Sequence, residues 1–266
     1  MEFKAEQEIK TQDRIVKVFK EKLNYDYLGD WKERENNTNI EDDILTKNLK
    51  NRGYNTIQIN LAINKLRRIS EDLNKSLYQK NKDIYEMIRY GVQVKEDISS
   101  TTKTISLVDW NNINFNHFAI AEEVTLKGNL ERRPDLVVYI NGIAFGVIEL
   151  KKSTVSVNEG IRQSISNQQD RFNEWFYSTV QFTAAGNDSE GLRYGTIKTP
   201  VQFYLKWKED ENETEDYKLD KYIKKIFKKE RILELIFDFI IFDGGKKKVP
   251  RANQYFAIKE AQKSIN

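Results

Sequence analysis

Apolar residues along this chain recur with two different periods. In the first third, Ile15, Phe19 and Leu23 return every four residues with Val16 and Val18 beside them, and Gly29 follows as a stop, which predicts an amphipathic helix. A second helix is expected from Asn39 as N-cap through Ile40, Ile44, Leu45 and Leu49, with Gly53 ending it. Leu61, Ala62, Leu66 and Ile69 predict a third helix, and Ile84, Met87 and Ile88 a fourth. The middle of the chain changes character. Residues 118–126, 136–140 and 143–150 are short runs rich in Val, Ile and aromatics, as strands are. Asn141-Gly142 separates the last two as a hairpin turn, since both residues tolerate positive φ. Helical spacing returns around Ile161 and Ile165. Residues 179–184, 192–197 and 203–207 read as further strands, the acidic run 209–216 as a solvated loop, and 223–241 as a last, largely buried helix. The pattern is that of an α/β protein, without internal repeats or a flexible linker.

Composition narrows the chemistry. The 266 residues suit one large domain or one domain with appendages. Lys+Arg 44 against Asp+Glu 41 leaves +3, too balanced for bulk charge to mark a nucleic-acid binder. There is no cysteine, which excludes a disulfide framework, an iron–sulfur cluster and a thiolate zinc site, and points to a reducing compartment. The single histidine, His117, removes multi-histidine metal sites. No apolar run approaches the roughly 18 residues of a membrane span, and the opening MEFKAEQEIK lacks a signal-peptide core. The expectation is a cytoplasmic protein without membrane partners, whose metal chemistry uses oxygen ligands.

The informative segment is 132–152, RRPDLVVYINGIAFGVIELKK. Glu149 and Lys151 are two apart on a strand and point to one face, in a stretch otherwise apolar. A bare acid-x-Lys pair is usually a surface ion pair, but charge on a buried strand is costly unless it is paired or used. Asp135 follows Pro134 at the start of the preceding strand, and the hairpin folds it back toward Glu149. Two carboxylates suit Mg²⁺, whose octahedral shell is completed by waters and substrate phosphate, with Mn²⁺ as substitute. Lys151 can then offset charge developing on the phosphate. Register matters here. A strict two-residue turn sets Asp135 opposite Ile148, on the face away from Glu149, whereas a three-residue loop with a glycine bulge sets it across from Glu149. A bulge or one-residue offset is therefore expected. Downstream, Arg162 and Gln163 on the next helix can reach a phosphate or nucleobase, or lie on a polar face in water. Upstream, Glu41 shares the stripe of Leu45 and Leu49, as a helix-dipole partner or a further metal ligand, with Asp42 and Asp43 less well placed.

Asp135 followed after a hairpin by Glu149-Leu150-Lys151 resembles the PD-(D/E)xK nuclease motif. More narrowly, residues 132–168 resemble the nuclease region of the restriction (R) subunit of type I restriction-modification enzymes, as do segments 24–54, 185–200, 230–245 and 251–262. The resemblance implies a PD-(D/E)xK endonuclease-like core with a mixed central sheet flanked by helices and a helical N-terminal extension. It divides the chain into a mainly helical part, 1–110, which contributes a helix to the core, a nuclease core with closing helix, 111–242, and the start of an ATP-dependent motor, 243–266. The implied activity is metal-dependent cleavage of double-stranded DNA, coupled in the full-length subunit to ATP-driven translocation, with methyltransferase and specificity subunits as partners. Carried over, Asp135 and Glu149 are metal ligands, Lys151 is the catalytic lysine, and Glu41 matches the upstream acid of many nucleases of this fold. Gln163, with Arg162 and Lys152 near it, supports catalysis or DNA binding. Gln163 opens the family's Q-x-x-x-Y element, whose tyrosine position holds Asn167. Gln254 would contact adenine in the full-length subunit, but no G-x-x-x-x-G-K-[ST] loop occurs, so ATP hydrolysis is not available within these residues. The chain thus reads as the N-terminal part of a longer polypeptide. Two rival readings stand beside it: a docking module that joins the motor to partner subunits through the helices of the first hundred residues and the acidic loop 209–216, with the triad vestigial, and an RNA-directed or repair nuclease that keeps the same triad.

Overall fold

The computed structural model describes residues 2–128, 130–209 and 216–265, with side chains from residue 9 to residue 264 of these. Residues 210–215, most of the acidic run read as a loop, lie outside the described residues. Six strands form a mixed sheet in the order β1 (Asp26–Asp30), β4 (Phe118–Glu122), β5 (Leu136–Ile140), β6 (Ile143–Leu150), β7 (Phe182–Asn187) and β8 (Gly191–Gly195). β1 runs parallel to β4, while β4 with β5 and β7 with β8 are antiparallel. Two small hairpins, β2 (Val92–Val94) with β3 (Lys103–Ile105) and β9 (Ile241–Asp243) with β10 (Lys246–Lys248), stand apart from this sheet. The helices are α1 (Glu2–Lys17), α2 (Asp42–Asn51), α3 (Thr56–Ser70), α4 (Leu77–Tyr90), α5 (Val157–Asn167), α6 (Lys218–Ile226), α7 (Lys229–Phe239) and α8 (Ala252–Ile265). No described helix is long and apolar enough to cross a membrane. Contacts divide the chain into two units, each assembled from separated stretches.

One unit comprises residues 26–147 and 167–181. Helix α2 begins after Glu41 rather than after Asn39. The Asn39 side chain serves elsewhere: its amide donates to the hydroxyls of Ser70 and Ser178 at 3.1 and 2.9 Å and to the carbonyl of Trp175. Asn81 likewise donates to the carbonyls of Tyr177, Ser178 and Val180 at 2.8–3.1 Å. Such amides satisfy backbone that the irregular segment 174–181 leaves unpaired, which a propensity for caps does not foresee. Helices α3 and α4 open with complete capping boxes, Asn55 with Gln58 and Ser76 with Gln79.

The other unit comprises residues 1–25, 148–166 and 182–266. Here α1 widens into a single π turn, Val18–Lys22, and Asn24 in the left-handed region, not Gly29, turns the chain away. Arg14 ties α1 down by ion pairs to Asp188 and Asp220 and lies over the Tyr217 ring at 3.7 Å. The expected single helix over 223–241 is two, α6 and α7, because Lys228 adopts extended ψ, 131°, and breaks the run. The expected strand over 203–207 is a 3₁₀ turn, Val201–Phe203, followed by one bridge from Leu205 to Tyr194.

Two carboxylates gather charge-assisted contacts, one of them anchoring helix α8. Trp207 and Arg231 donate to Glu209 at 2.5 and 2.8 Å, and Tyr255 and Lys259 donate to Glu234. Burial pushes both carboxyls up, but these hydrogen bonds outweigh it and hold each below the ordinary value of 4.5. A lowered carboxyl contributes stability above its unfolded-state pKa and loses it as pH falls through the folded-state value. Melting temperature should therefore drop on acidification from about pH 6 to about pH 3. Thermal denaturation of Glu209→Gln across that range should show a shallower acid limb than the parent, and an identical limb would remove Glu209 from the account.

Candidate active site

All eight residues of β6 are buried, and Glu149 is the only charged one, with its side chain fully covered. Ordered pairing extends one residue beyond the strand, because the Lys151 amide donates to the Gly186 carbonyl of β7 at 2.9 Å. Helix α5 then returns over this strand end, and Gly160 decides how closely. A Cβ on Gly160 would sit 3.0 Å from the Cβ of Ala185, 3.4 Å from Cγ of Lys151 and 3.5 Å from Cβ of Glu149. One turn on, Gln163 shares the face of Gly160 and its Nε2 donates to Oε2 of Glu149 at 2.8 Å. The glutamine expected to reach a phosphate or base instead touches the carboxylate. Lys151 is partly exposed, and its Nζ donates to the Leu150 carbonyl at 2.8 Å, at the mouth of the strand.

Three further groups underlie this arrangement and were not anticipated. The hydroxyl of buried Tyr204 meets Oγ1 of Thr183 at 2.8 Å, and Tyr204 packs with Val157, Ile161 and Ala185 under α5. Burial pushes the Tyr204 hydroxyl up to about 12, with Thr183 and Ser164 as hydrogen-bonding neighbours pulling it down and the Glu149 charge adding to the rise. Tyr204 thus stays a neutral phenol beside the Glu149–Gln163 pair. Its segment carried the pattern of a strand, so only the fold reveals it.

Asp135 and Glu41 belong to the other unit. The turn before β6 is strict: Asn141 and Gly142 have φ of 53° and 82°, the left-handed pair of a type I′ turn, flanked directly by β5 and β6. The expected glycine bulge at the turn is thereby corrected. Asn141 has no freedom to form one, since its side chain accepts from the His117 amide and donates to Leu107 and Asn116 at 2.7–2.9 Å. Asp135 itself stands one residue before β5, in a bend, so strand alternation does not dictate its side-chain direction. Its carbonyl accepts from the Glu123 amide at 3.0 Å, and Glu123 has a left-handed φ of 50° that ends β4.

Glu41 occupies the N-cap position of α2 and is buried, with both oxygens held by the fork of Arg34 at 3.0 and 2.6 Å. A cation drawing on Glu41 would have to displace that guanidinium. Asp42 pairs with Arg67 at 2.8 Å. Arg162 is exposed and pairs with Glu159 along its own helix, while Lys152 is partly exposed. Asn167, at the family's tyrosine position, is buried. Gln254 is exposed and accepts from the Arg251 amide at 2.9 Å, the reach-back half of a helix cap. His117 bonds Asp26 at 2.8 Å. Among the described residues, no three His, Cys, Asp or Glu side chains gather as a ready metal cluster.

A buried Glu-x-Lys strand end, covered by a helix that brings a glutamine to the acid, is set here in a mixed sheet. Residues 4–202 match the family model described as the type I restriction enzyme R protein N terminus. Among relatives, a protein assigned as the MjaVIIIP endonuclease subunit of a type I restriction enzyme in Methanocaldococcus jannaschii is 30% identical over 212 residues, covering 74% of this chain and 20% of the relative. The MjaIXP endonuclease subunit assigned in the same organism is 27% identical over 229 residues, covering 76% of this chain and 22% of the relative. The type I restriction enzyme HindI endonuclease subunit of Haemophilus influenzae is 24% identical over 202 residues, covering 70% and 19%. The chain spans about a fifth of the length of the curated relatives it matches. On the family match, which covers most of its length, the chain belongs to the type I restriction enzyme R protein N-terminal family.

Proposed function

We propose that this chain is the endonuclease part of a type I restriction enzyme R subunit and hydrolyses phosphodiester bonds of double-stranded DNA with a divalent cation. The observation that carries the reading is Glu149: a fully buried carboxylate at a strand end, bonded by Gln163 and followed at two residues by Lys151. The donor set fits Mg²⁺ or Mn²⁺. It is all oxygen, it leaves most of an octahedral shell to waters and substrate phosphate, and a buried carboxylate gains from a cation what burial costs it. Glu149 would hold the ion, with Asp135 as second carboxylate on the strength of the motif, and the ion would polarise the phosphoryl oxygen.

The protein's own residues do the rest. Gln163 fixes the Glu149 carboxylate in one orientation, as outer-shell partners of metal ligands do. Gly160 lets α5 close on the strand and keeps bulk solvent from the buried side of the acid. Lys151 carries the positive charge that offsets charge growing on the phosphate as water adds and the P–O bond to the leaving oxygen breaks. Glu41 is given the role of α2 terminus and Arg34 partner in this reading, not that of third ligand. ATP-driven translocation, the adenine contact of Gln254, and assembly with methyltransferase and specificity subunits would belong to the longer subunit. The test is calorimetric titration of the chain with Mn²⁺. Saturable binding that disappears in Glu149→Ala, with the fold retained by circular dichroism, is expected. A folded parent that binds no Mn²⁺ would favour the docking-module reading.

A further inference from the structure

Within the unit that carries Asp135, two arginines are built onto one ring. The guanidinium carbon of Arg132 lies 3.9 Å from the centre of the Phe172 ring and that of Arg171 lies 4.8 Å from it. Their frame is well defined. Leu126 and Arg132 exchange backbone hydrogen bonds at 2.8 and 3.1 Å, and Asn173 donates to the Leu126 carbonyl at 3.3 Å. Gly128 approaches the Phe172 carbonyl so closely that a Cβ there would come within 2.5 Å. Both cations are thus held against one ring.

Neither guanidinium holds an anion among the described residues. In the same unit Arg34 holds Glu41, Arg52 holds Asp109, Arg67 holds Asp42 and Arg133 holds Glu123. Among the described residues, Arg132 contacts only the ring through its guanidinium, and Arg171 adds a bond to the Gln169 amide oxygen. The neighbouring Glu131 and Asp170 are exposed and pair with neither. A flat cation stacked on an aromatic ring keeps its N–H edge for bidentate bonds to an oxyanion, and in a protein that acts on DNA the backbone phosphate is the abundant one. Arg132 also precedes Asp135 by three residues, so their Cα atoms are at most about 11 Å apart.

We propose that Arg132 and Arg171, stacked on Phe172, form a clamp for backbone phosphates of the DNA strand, close to the phosphate cut beside Asp135. The proposal rests on the endonuclease reading and adds to it a site for the substrate backbone. Contacts of this kind position DNA without reading its sequence, and each neutralised phosphate adds about −0.9 to the slope of log affinity against log salt.

The test is fluorescence anisotropy of a short labelled duplex with this chain in EDTA across a salt series. In Arg132→Gln/Arg171→Gln the slope should shrink by about 1.8, with equal loss for unrelated duplex sequences. Arg132→Lys/Arg171→Lys keeps both charges and should keep most of the slope. Equal slopes for parent and glutamine variant overturn the clamp, as does a lysine variant that loses as much as the glutamine one. Failure of the two ideas is separable with Lys151→Ala. Cleavage that needs Lys151, beside an unchanged slope in the glutamine variant, sinks the clamp alone. An arginine-dependent slope beside cleavage by the assembled enzyme that persists in both Glu149→Ala and Lys151→Ala sinks the assignment of the nuclease to this site and leaves the clamp.

Discussion

Exchange of Lys151 for alanine is expected to slow DNA cleavage by the assembled enzyme about 10²–10³-fold, the loss of roughly 3–4 kcal/mol of transition-state stabilisation. ATP-driven translocation should continue at the parent rate. The reason is local. Lys151 stands at the open end of a buried strand, with Nζ at 2.8 Å from the Leu150 carbonyl, and its backbone is pinned to Gly186. Alanine removes the ammonium without uncovering Glu149 or disturbing its bond from Gln163, so Mn²⁺ binding should survive. That separates Lys151 from Glu149, whose replacement should remove binding and cleavage together. Conversion of supercoiled circular DNA to linear form, followed beside ATP consumption, measures both rates. Cleavage within a factor of two of the parent would take Lys151 out of the reaction.

The largest effect on stability is expected at Gly142. Its φ of 82° is left-handed, and a Cβ there would meet the Glu41 carbonyl oxygen at 2.8 Å and the Leu45 amide nitrogen at 2.9 Å. Both clashes are with backbone, at the point where the Glu41 amide donates to the Gly142 carbonyl at 2.7 Å and docks α2 on the hairpin. Valine adds the left-handed penalty, about 1–2 kcal/mol, to overpacking of about 1–3 kcal/mol. Gly142→Val should thus lose roughly 2–5 kcal/mol, and at roughly 2–4 °C per kcal/mol its melting temperature should fall by roughly 4–20 °C. Differential scanning fluorimetry measures the shift. A loss under about 1 kcal/mol would mean that the turn adapts and the docking is soft.

The hairpin was legible because its cues are local: an uninterrupted apolar run for β5 and β6, and an Asn-Gly pair that fits only a tight turn. Glu149 and Lys151 stood out for the same reason, as charges where burial makes charge expensive. The edge strand β1 was not legible. Its residues, DYLGD, show no buried alternation, and it pairs with β4 through backbone groups that every residue owns. Asn39 looked like a helix cap by composition, yet its amide is engaged by residues more than thirty positions away.

The class of fold, the family and the acid-x-Lys pair at the end of an apolar strand are readable from consecutive residues, because hydrophobic period, turn chemistry and a charge amid apolar neighbours are all local. Folding in three dimensions sets the rest: Gln163 bonds Glu149, Tyr204 bonds Thr183 nearby, Arg34 engages Glu41, and Arg132 and Arg171 share one ring. Each of those contacts depends on how closely two distant backbones approach, as at Gly160, where the missing side chain sets the distance. Such distances are properties of packing, and no local pattern encodes them.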